Sequence, residues 1–149
     1  MLKNIPEIIP PDLMLALMQM GHGDDIVFGD INFPSYSTGQ RCVYAKGHRI
    51  TDLLDAILDF MPLDTFVDDS VTVMQPGGAY KDLVPPIWEE YNGIIRAKDF
   101  TGAFSDLYKM ERFEFYERAK KSFVTVHTSE AALYACMILR KGVYLDQNN

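Results

Sequence analysis

The run Met20-Gly-His-Gly-Asp-Asp25 sets one imidazole between two glycines and beside two carboxylates. Flanking glycines leave the His22 ring unshielded and let the backbone come close to a ligand. A free imidazole titrates near pH 6.5, so it can give and take protons at neutral pH. One such group typically accelerates a proton-transfer reaction about 10²–10⁴-fold. A plainer role also fits His22: a residue just past a helix C-terminus whose ring bonds the last free carbonyls. Asp30 stands at the far end of the short apolar run that follows. Its carboxylate can accept hydrogen bonds from sugar hydroxyls, or act as a cap or loop residue. Asp24, Asp25 and Asp30 together raise the question of a hard metal ion. Successive strand side chains point to opposite faces, so Asp24 and Asp25 do not readily share one ion, and no fourth oxygen ligand is in register. The expectation is therefore no metal.

A second stretch, Glu111-Arg-Phe-Glu-Phe-Tyr-Glu-Arg-Ala, combines a cation, aromatic faces and a hydroxyl in Arg112, Phe113, Phe115 and Tyr116. Sugars are bound by this kind of set, with planar hydrogen-bonding groups on one side and a stacked ring on the other. The competing reading is a helix start whose aromatics are core and whose arginine is a surface charge. A third stretch, Leu133-Tyr134-Ala135-Cys136, reads by itself as a buried strand with one tyrosine.

The elements that must position these residues follow from hydrophobic periodicity. Pro11 and Asp12 suit a helix start, and Leu13, Leu17 and Met20 form one stripe ending at Gly21. His22 is thus expected in a Gly-His-Gly turn after that helix. Asp25–Gly29 reads as a short buried strand and Cys42–Lys46 as a second. Thr51–Met61 is an amphipathic helix ended by Pro62, and Ser70–Met74 is a third strand. A helix is expected over Val84–Ile95, another over Phe113–Lys121, and a strand over Phe123–His127. Ala132–Leu139 suits strand or helix, with strand preferred because Lys141-Gly142-Val143 follows like a strand end. Strands alternating with helices predict an α/β fold: a single domain over residues 1–149, in three α/β/α layers with a mostly parallel sheet. In such folds ligands sit beyond the carboxyl ends of the strands, where Asp30 falls.

The totals narrow the partners. The chain of 149 residues carries a net charge of −7, and 48% of it is apolar. That is enough for one core without staples, and it argues against nucleic acid or an anionic membrane as the main partner. The one dense basic run, Arg118, Lys120 and Lys121, reads as a solvated helix face. Cys42 and Cys136 lack any C-x-x-C spacing and read as free thiols in a reducing compartment. There is no signal-peptide pattern and no long apolar span, so a cytoplasmic location is expected.

Taken in order, Met-Gly-His-Gly-Asp near residue 20, Asp30 with Pro34 beyond it, Arg-Phe-x-Phe-Tyr-Glu-Arg-Ala from 112, and Tyr134 before a Leu-x-Lys-Gly-Val end resemble the ribose pyranase/fucose mutarotase (RbsD/FucU) family. The likeness runs from Met1 to Val143. It implies a sugar anomer isomerase in which His22 is the general acid/base and Asp30 binds hydroxyls. Arg112 matches a position that is Arg in the fucose branch and usually His in the ribose branch. Tyr134 matches the tyrosine of a Tyr-x-Asn triplet, whose third member here is Cys136. A thiol replaces an amide poorly, so either the amide is dispensable, or the sugar preference differs, or Cys136 serves through its backbone. Tyr116 is a further substrate-binding candidate that could share proton transfer. The family resemblance also implies ring-shaped homo-oligomers, often decamers of two pentamers, with sites near subunit contacts, and no cofactor. Ribose pyranase activity and a non-catalytic monosaccharide-binding protein are the alternatives.

Overall fold

The computed structural model describes residues 1–146; residues 147–149, included in the expected domain, lie outside the described residues. In chain order the elements are α1 (Pro11–Gln19), β1 (Asp25–Gly29), α2 (Ser35–Thr38), β2 (Cys42–Ala45), α3 (Ile50–Ile57), β3 (Val71–Met74), α4 (Ile87–Lys98), β4 (Tyr108–Met110), α5 (Arg112–Lys120), β5 (Val124–Thr128) and β6 (Met137–Arg140). The six strands form one sheet in the order β2-β5-β1-β6-β3-β4. β1 with β5, β2 with β5, and β3 with β4 are parallel. β6 runs antiparallel to both its neighbours, β1 and β3. The sheet is thus mostly parallel, as the alternation of elements predicts.

The three layers are visible in how each strand divides its side chains. Ile26 and Phe28 of β1 face one way, into a core with Leu13 and Leu17 of α1, Leu53, Leu54 and Ile57 of α3, and Trp88 and Tyr91 of α4. Val27 faces the other way, against Phe115 and Ala119 of α5 and Phe33 ahead of α2. The period-two alternation of β-strands sorts one buried strand into two cores. β1 is buried along its whole length, as a central strand covered on both faces must be.

Several boundaries differ from the sequence reading. α3 stops at Ile57, four residues before Met61, and the N–H groups of Phe60 and Met61 both turn back to the Ile57 carbonyl. α4 begins at Ile87, after both prolines, and runs on to Lys98. A residue followed by proline is pushed out of the helical region, which excludes Val84 and Pro85. α2 and the edge strand β4 carry too few residues to show a period. The expected strand over Ala132–Leu139 shrinks to Met137–Arg140 because Tyr134 adopts a left-handed conformation, φ 54°. No helix among the described residues is long and apolar enough to cross a membrane.

Candidate active site

α1 delivers His22 where the sequence places it. Met20 closes the helix with its N–H on the Ala16 carbonyl. Gly23, at φ +86°, makes the turn that follows, a conformation that favours glycine. The Gly23 N–H then reaches the carbonyl of Lys141, just past the end of β6, at 2.9 Å. The His22 side chain is 47% exposed, and its Nε2 lies 3.2 Å from Oδ1 of Asp64, itself 3% exposed. The ring therefore bonds a buried carboxylate, not the terminal carbonyls of α1.

Sequence reasoning missed Asp64, because no local pattern marks it. The segment after α3 runs alongside the end of β6: Asp64 N–H bonds the Arg140 carbonyl and Gly142 N–H bonds the Pro62 carbonyl. That pairing brings Asp64 to His22 across 42 positions of chain. Phe66 was missed for the same reason. Its N–H donates to the same Oδ1 at 3.0 Å, and its ring centroid lies 5.5 Å from that of His22.

The carboxylates of the opening run go three separate ways. Asp24 Oδ2 accepts the Gly21 N–H at 2.8 Å and stiffens the turn. Asp25 is buried and takes paired bonds from Arg118 and Arg140, at 2.9–3.3 Å. Burial pushes its carboxyl up, but the two guanidiniums overcome this and hold it below its ordinary value. Arg118 is accordingly a structural ion, only 10% exposed, which corrects its reading as a solvated helix charge. It also donates to Asp69 Oδ2 and Thr72 Oγ1. Asp25 borders an open surface hollow, but there its oxygens are taken by Arg118 and Arg140; Asp30 lines a separate cavity.

That cavity, of about 300 Å³, is lined by Asp30, Asn32, Phe33, Met74, Tyr80, Arg112, Tyr116, Leu133, Tyr134 and Cys136. It lies beyond the carboxyl ends of β1, β3 and β4 and the start of the antiparallel β6, where ligands collect in such sheets. Asp30 Oδ1 is fixed by the Asn32 N–H at 2.9 Å. Arg112 opens α5, whose N-cap Glu111 accepts the N–H groups of Phe113 and Glu114. Its guanidinium carbon stands 5.7 Å from the centre of the Tyr116 ring. Tyr116 stacks in turn on Phe33, with centroids 5.6 Å apart and planes 3° from parallel. The aromatics of this helix thus divide: Phe115 is core, Tyr116 is a pocket wall and Phe113 is exposed.

Tyr134 is held in its left-handed conformation, which costs about 1–3 kcal/mol. Trp88 Nε1 donates to its carbonyl at 3.0 Å, and the Tyr91 hydroxyl donates to the next carbonyl, that of Ala135, at 2.7 Å. Its own hydroxyl accepts the Gly77 N–H at 3.3 Å. Tyr80 meets it edge-on at 6.1 Å. Cys136 presents its side chain and not merely its backbone: its Sγ accepts the Asp30 N–H at 3.4 Å. Burial first, then the Asp30 charge, raise this thiol well above its ordinary value, so it stays protonated. Both cysteines are free.

The structure brings together five of the six expected site residues: Asp30, Arg112, Tyr116, Tyr134 and Cys136. It does not bring His22 to them within one chain. His22 precedes β1 and Asp30 follows it. At about 3.3 Å per residue, the five steps from Asp25 to Asp30 cover about 16 Å. No monosaccharide spans that.

The sequence profile of the RbsD / FucU transport protein family matches residues 3–144. The chain is 47% identical over 147 residues to the fucose mutarotase of Homo sapiens, covering 95% of this chain and 94% of that one. It is similar to the solved fucose mutarotase of Streptococcus pneumoniae in complex with L-fucose, with TM-score 0.87, 43% identity, and 97% and 100% of the two chains covered. Bacillus subtilis RbsD complexed with D-ribose shares the fold alone, with TM-score 0.69 and 17% identity over 92% and 95% of the two chains.

Proposed function

The chain belongs to the RbsD / FucU transport protein family, and we propose that it is an L-fucose mutarotase, an isomerase that interconverts the α and β anomers of the free sugar. The observation that carries this reading is the convergence of Asp30, Arg112, Tyr116 and Tyr134 on one small hollow. A carboxylate, a guanidinium and two phenols supply both donors and acceptors for hydroxyls. The stacked Tyr116 and Phe33 rings supply an apolar wall. The fucose mutarotases among its relatives support the choice of sugar.

Mutarotation needs one proton taken from the anomeric hydroxyl and one given to the ring oxygen. The C1–C2 bond then turns and the ring closes on the other face. Nothing is oxidised and no carbon skeleton bond breaks, so the chemistry calls for no cofactor and no metal. His22 is the acid/base group in this reading. Asp64 accepts the Nε2 proton, which fixes the tautomer and leaves Nδ1 free to exchange a proton with substrate. Asp30, Arg112 and Tyr134 hold the pyranose, Cys136 steadies Asp30, and Tyr116 is within the pocket to share proton transfer.

A His22 remote from its own pocket fits an assembly in which the partner subunit's His22 completes each site. Such a contact joins one end of the sheet to the opposite end of the next copy. A head-to-tail contact of this kind closes into a ring when the rotation between copies closes, and the protein is read as such a homo-oligomer. The free thiols and the absence of a membrane-crossing helix among the described residues are compatible with the cytoplasm.

Saturation-transfer NMR on the anomeric protons of L-fucose at equilibrium tests the reading, with D-ribose in parallel. The expected result is faster α/β exchange with fucose that disappears in His22→Asn. Tight sugar binding without faster exchange would overturn it in favour of a binding protein, and acceleration of ribose alone would overturn the choice of sugar.

A further inference from the structure

Phe66 is a large aromatic residue left 76% exposed, yet its backbone is anchored beside His22. One buried oxygen, Asp64 Oδ1, accepts both the Phe66 N–H and the His22 Nε2 contact. The same carboxylate therefore anchors both the imidazole and the backbone that carries the phenyl ring, and the two rings lie 5.5 Å apart, tilted by 49°. Phe66 also lines a hollow of about 360 Å³ whose other walls are Phe100, Val143, Tyr144, Leu145 and two threonines, Thr65 and Thr101. Phe66 thus gives His22 an apolar neighbour on this side, whereas the carboxylate, guanidinium and phenols that suit sugar hydroxyls line the Asp30 cavity.

The connectivity of a pyranose says what an apolar group in that place would meet. The acid/base group must reach the ring oxygen. That oxygen is bonded to C1, where the reaction occurs, and to C5, whose substituent is therefore the nearest part of the sugar that does not react. The hydroxyls of C2, C3 and C4 point away, toward the opposite side of the ring. We propose that Phe66, carried together with His22 to the Asp30 cavity of the neighbouring copy, is a specificity-determining residue that packs on the C5 substituent of the sugar, so that the enzyme prefers a methyl there over a hydrogen or a hydroxymethyl group. This rests on the reading of His22 as the acid/base group of a mutarotase. A hydroxymethyl against the phenyl loses hydrogen bonds to water, and a hydrogen leaves the ring face unfilled; one such group in an apolar site changes kcat/KM about tenfold or somewhat more.

The test compares L-fucose with D-arabinose, which has the same pyranose ring with hydrogen at C5, and with L-galactose, which carries hydroxymethyl there. Exchange rates are measured by saturation transfer on wild type, Phe66→Ala and Phe66→Tyr. Each variant is read as a ratio of kcat/KM between two sugars on one sample, so partial loss of folded or assembled protein cancels. The expected result is a wild-type preference for L-fucose of about tenfold, kept in Phe66→Tyr and reduced to within about twofold in Phe66→Ala. A wild type that accelerates L-fucose, with the same sugar ratios in Phe66→Ala, would overturn this role and leave the mutarotase reading standing. A wild type that accelerates none of the three sugars would overturn both.

Discussion

His22 Nε2 stands 3.2 Å from Asp64 Oδ1, a half-exposed imidazole against a carboxylate that is almost wholly buried. A buried acceptor with one fixed position can hold the ring in one orientation, and an exposed second nitrogen can then meet a ligand. In the proposed mechanism this pair is the orienting half of an acid/base arrangement.

Asp64→Asn keeps the shape and can still accept the Phe66 N–H, but removes the charge and the preferred tautomer. The expected effect is a fall in kcat of about tenfold to a hundredfold with KM little changed, smaller than the loss of about 10²–10⁴-fold for His22→Asn. Steady-state anomer exchange at several fucose concentrations separates the two parameters. A matching rise in KM would point instead to a direct role for Asp64 in holding the sugar.

Arg112→Ala removes a charged donor from the cavity rim without touching the helix cap, which belongs to Glu111. A hydrogen bond to a charged group is worth about 1.5–3 kcal/mol, so fucose affinity should fall by roughly tenfold or more. Titration calorimetry reads the affinity, and an unchanged melting temperature shows that the fold is intact.

Asp25 is the acid-sensitive point of the fold. Its carboxyl lies below its ordinary value because Arg118 and Arg140 outweigh burial. A lowered folded-state value stabilises the protein fully above the unfolded-state value, near pH 4, and the contribution is lost as pH falls through the folded-state value. Asp25→Asn leaves Arg118 and Arg140 with only the Asp69 carboxylate and should cost up to about 3–5 kcal/mol at neutral pH. Urea unfolding at pH 7 measures that loss. The same series below pH 4 should show the wild type approaching the variant.

Gly29→Ala couples the sheet to the cavity. A Cβ there would come within 2.6 Å of Ser35 Oγ and 2.7 Å of Phe33 Cδ1. Overpacking of this kind costs about 1–3 kcal/mol. Because Phe33 is the ring on which Tyr116 stacks, the shift should also weaken fucose binding. Phe33→Leu, which relieves the contact, should restore part of the stability of Gly29→Ala in a double variant.

The alternation of apolar runs and helical stripes was enough to place β1, α1, α5 and β5 within a residue or two, because these elements are long or strongly patterned. Their three-layer arrangement followed from the alternation itself. The turn around His22 was also legible, since a helix stripe that ends at glycine leaves few alternatives. β4, α2 and the end of α3 were not, because three or four residues carry no period and tertiary contacts set their limits. The shrinkage of the last strand was hidden because Tyr134 holds a positive φ only while Trp88 and Tyr91 grip the two carbonyls beside it.

What the sequence determined by itself was the set of chemical groups: an imidazole in a glycine turn, an aspartate at the end of a buried strand, and a cation close to a tyrosine. Tertiary structure alone decided how they are shared out. It sent Asp25 and Arg118, adjacent in sequence to site residues, into a buried ion network. It recruited Asp64 and Phe66, which carry no local signal, by pairing one loop with the end of β6. It also set His22 and Asp30 at opposite ends of the same strand. The physical reason is that a β-strand fixes the distance between its ends by its length, whereas sequence spacing records only the number of residues between them.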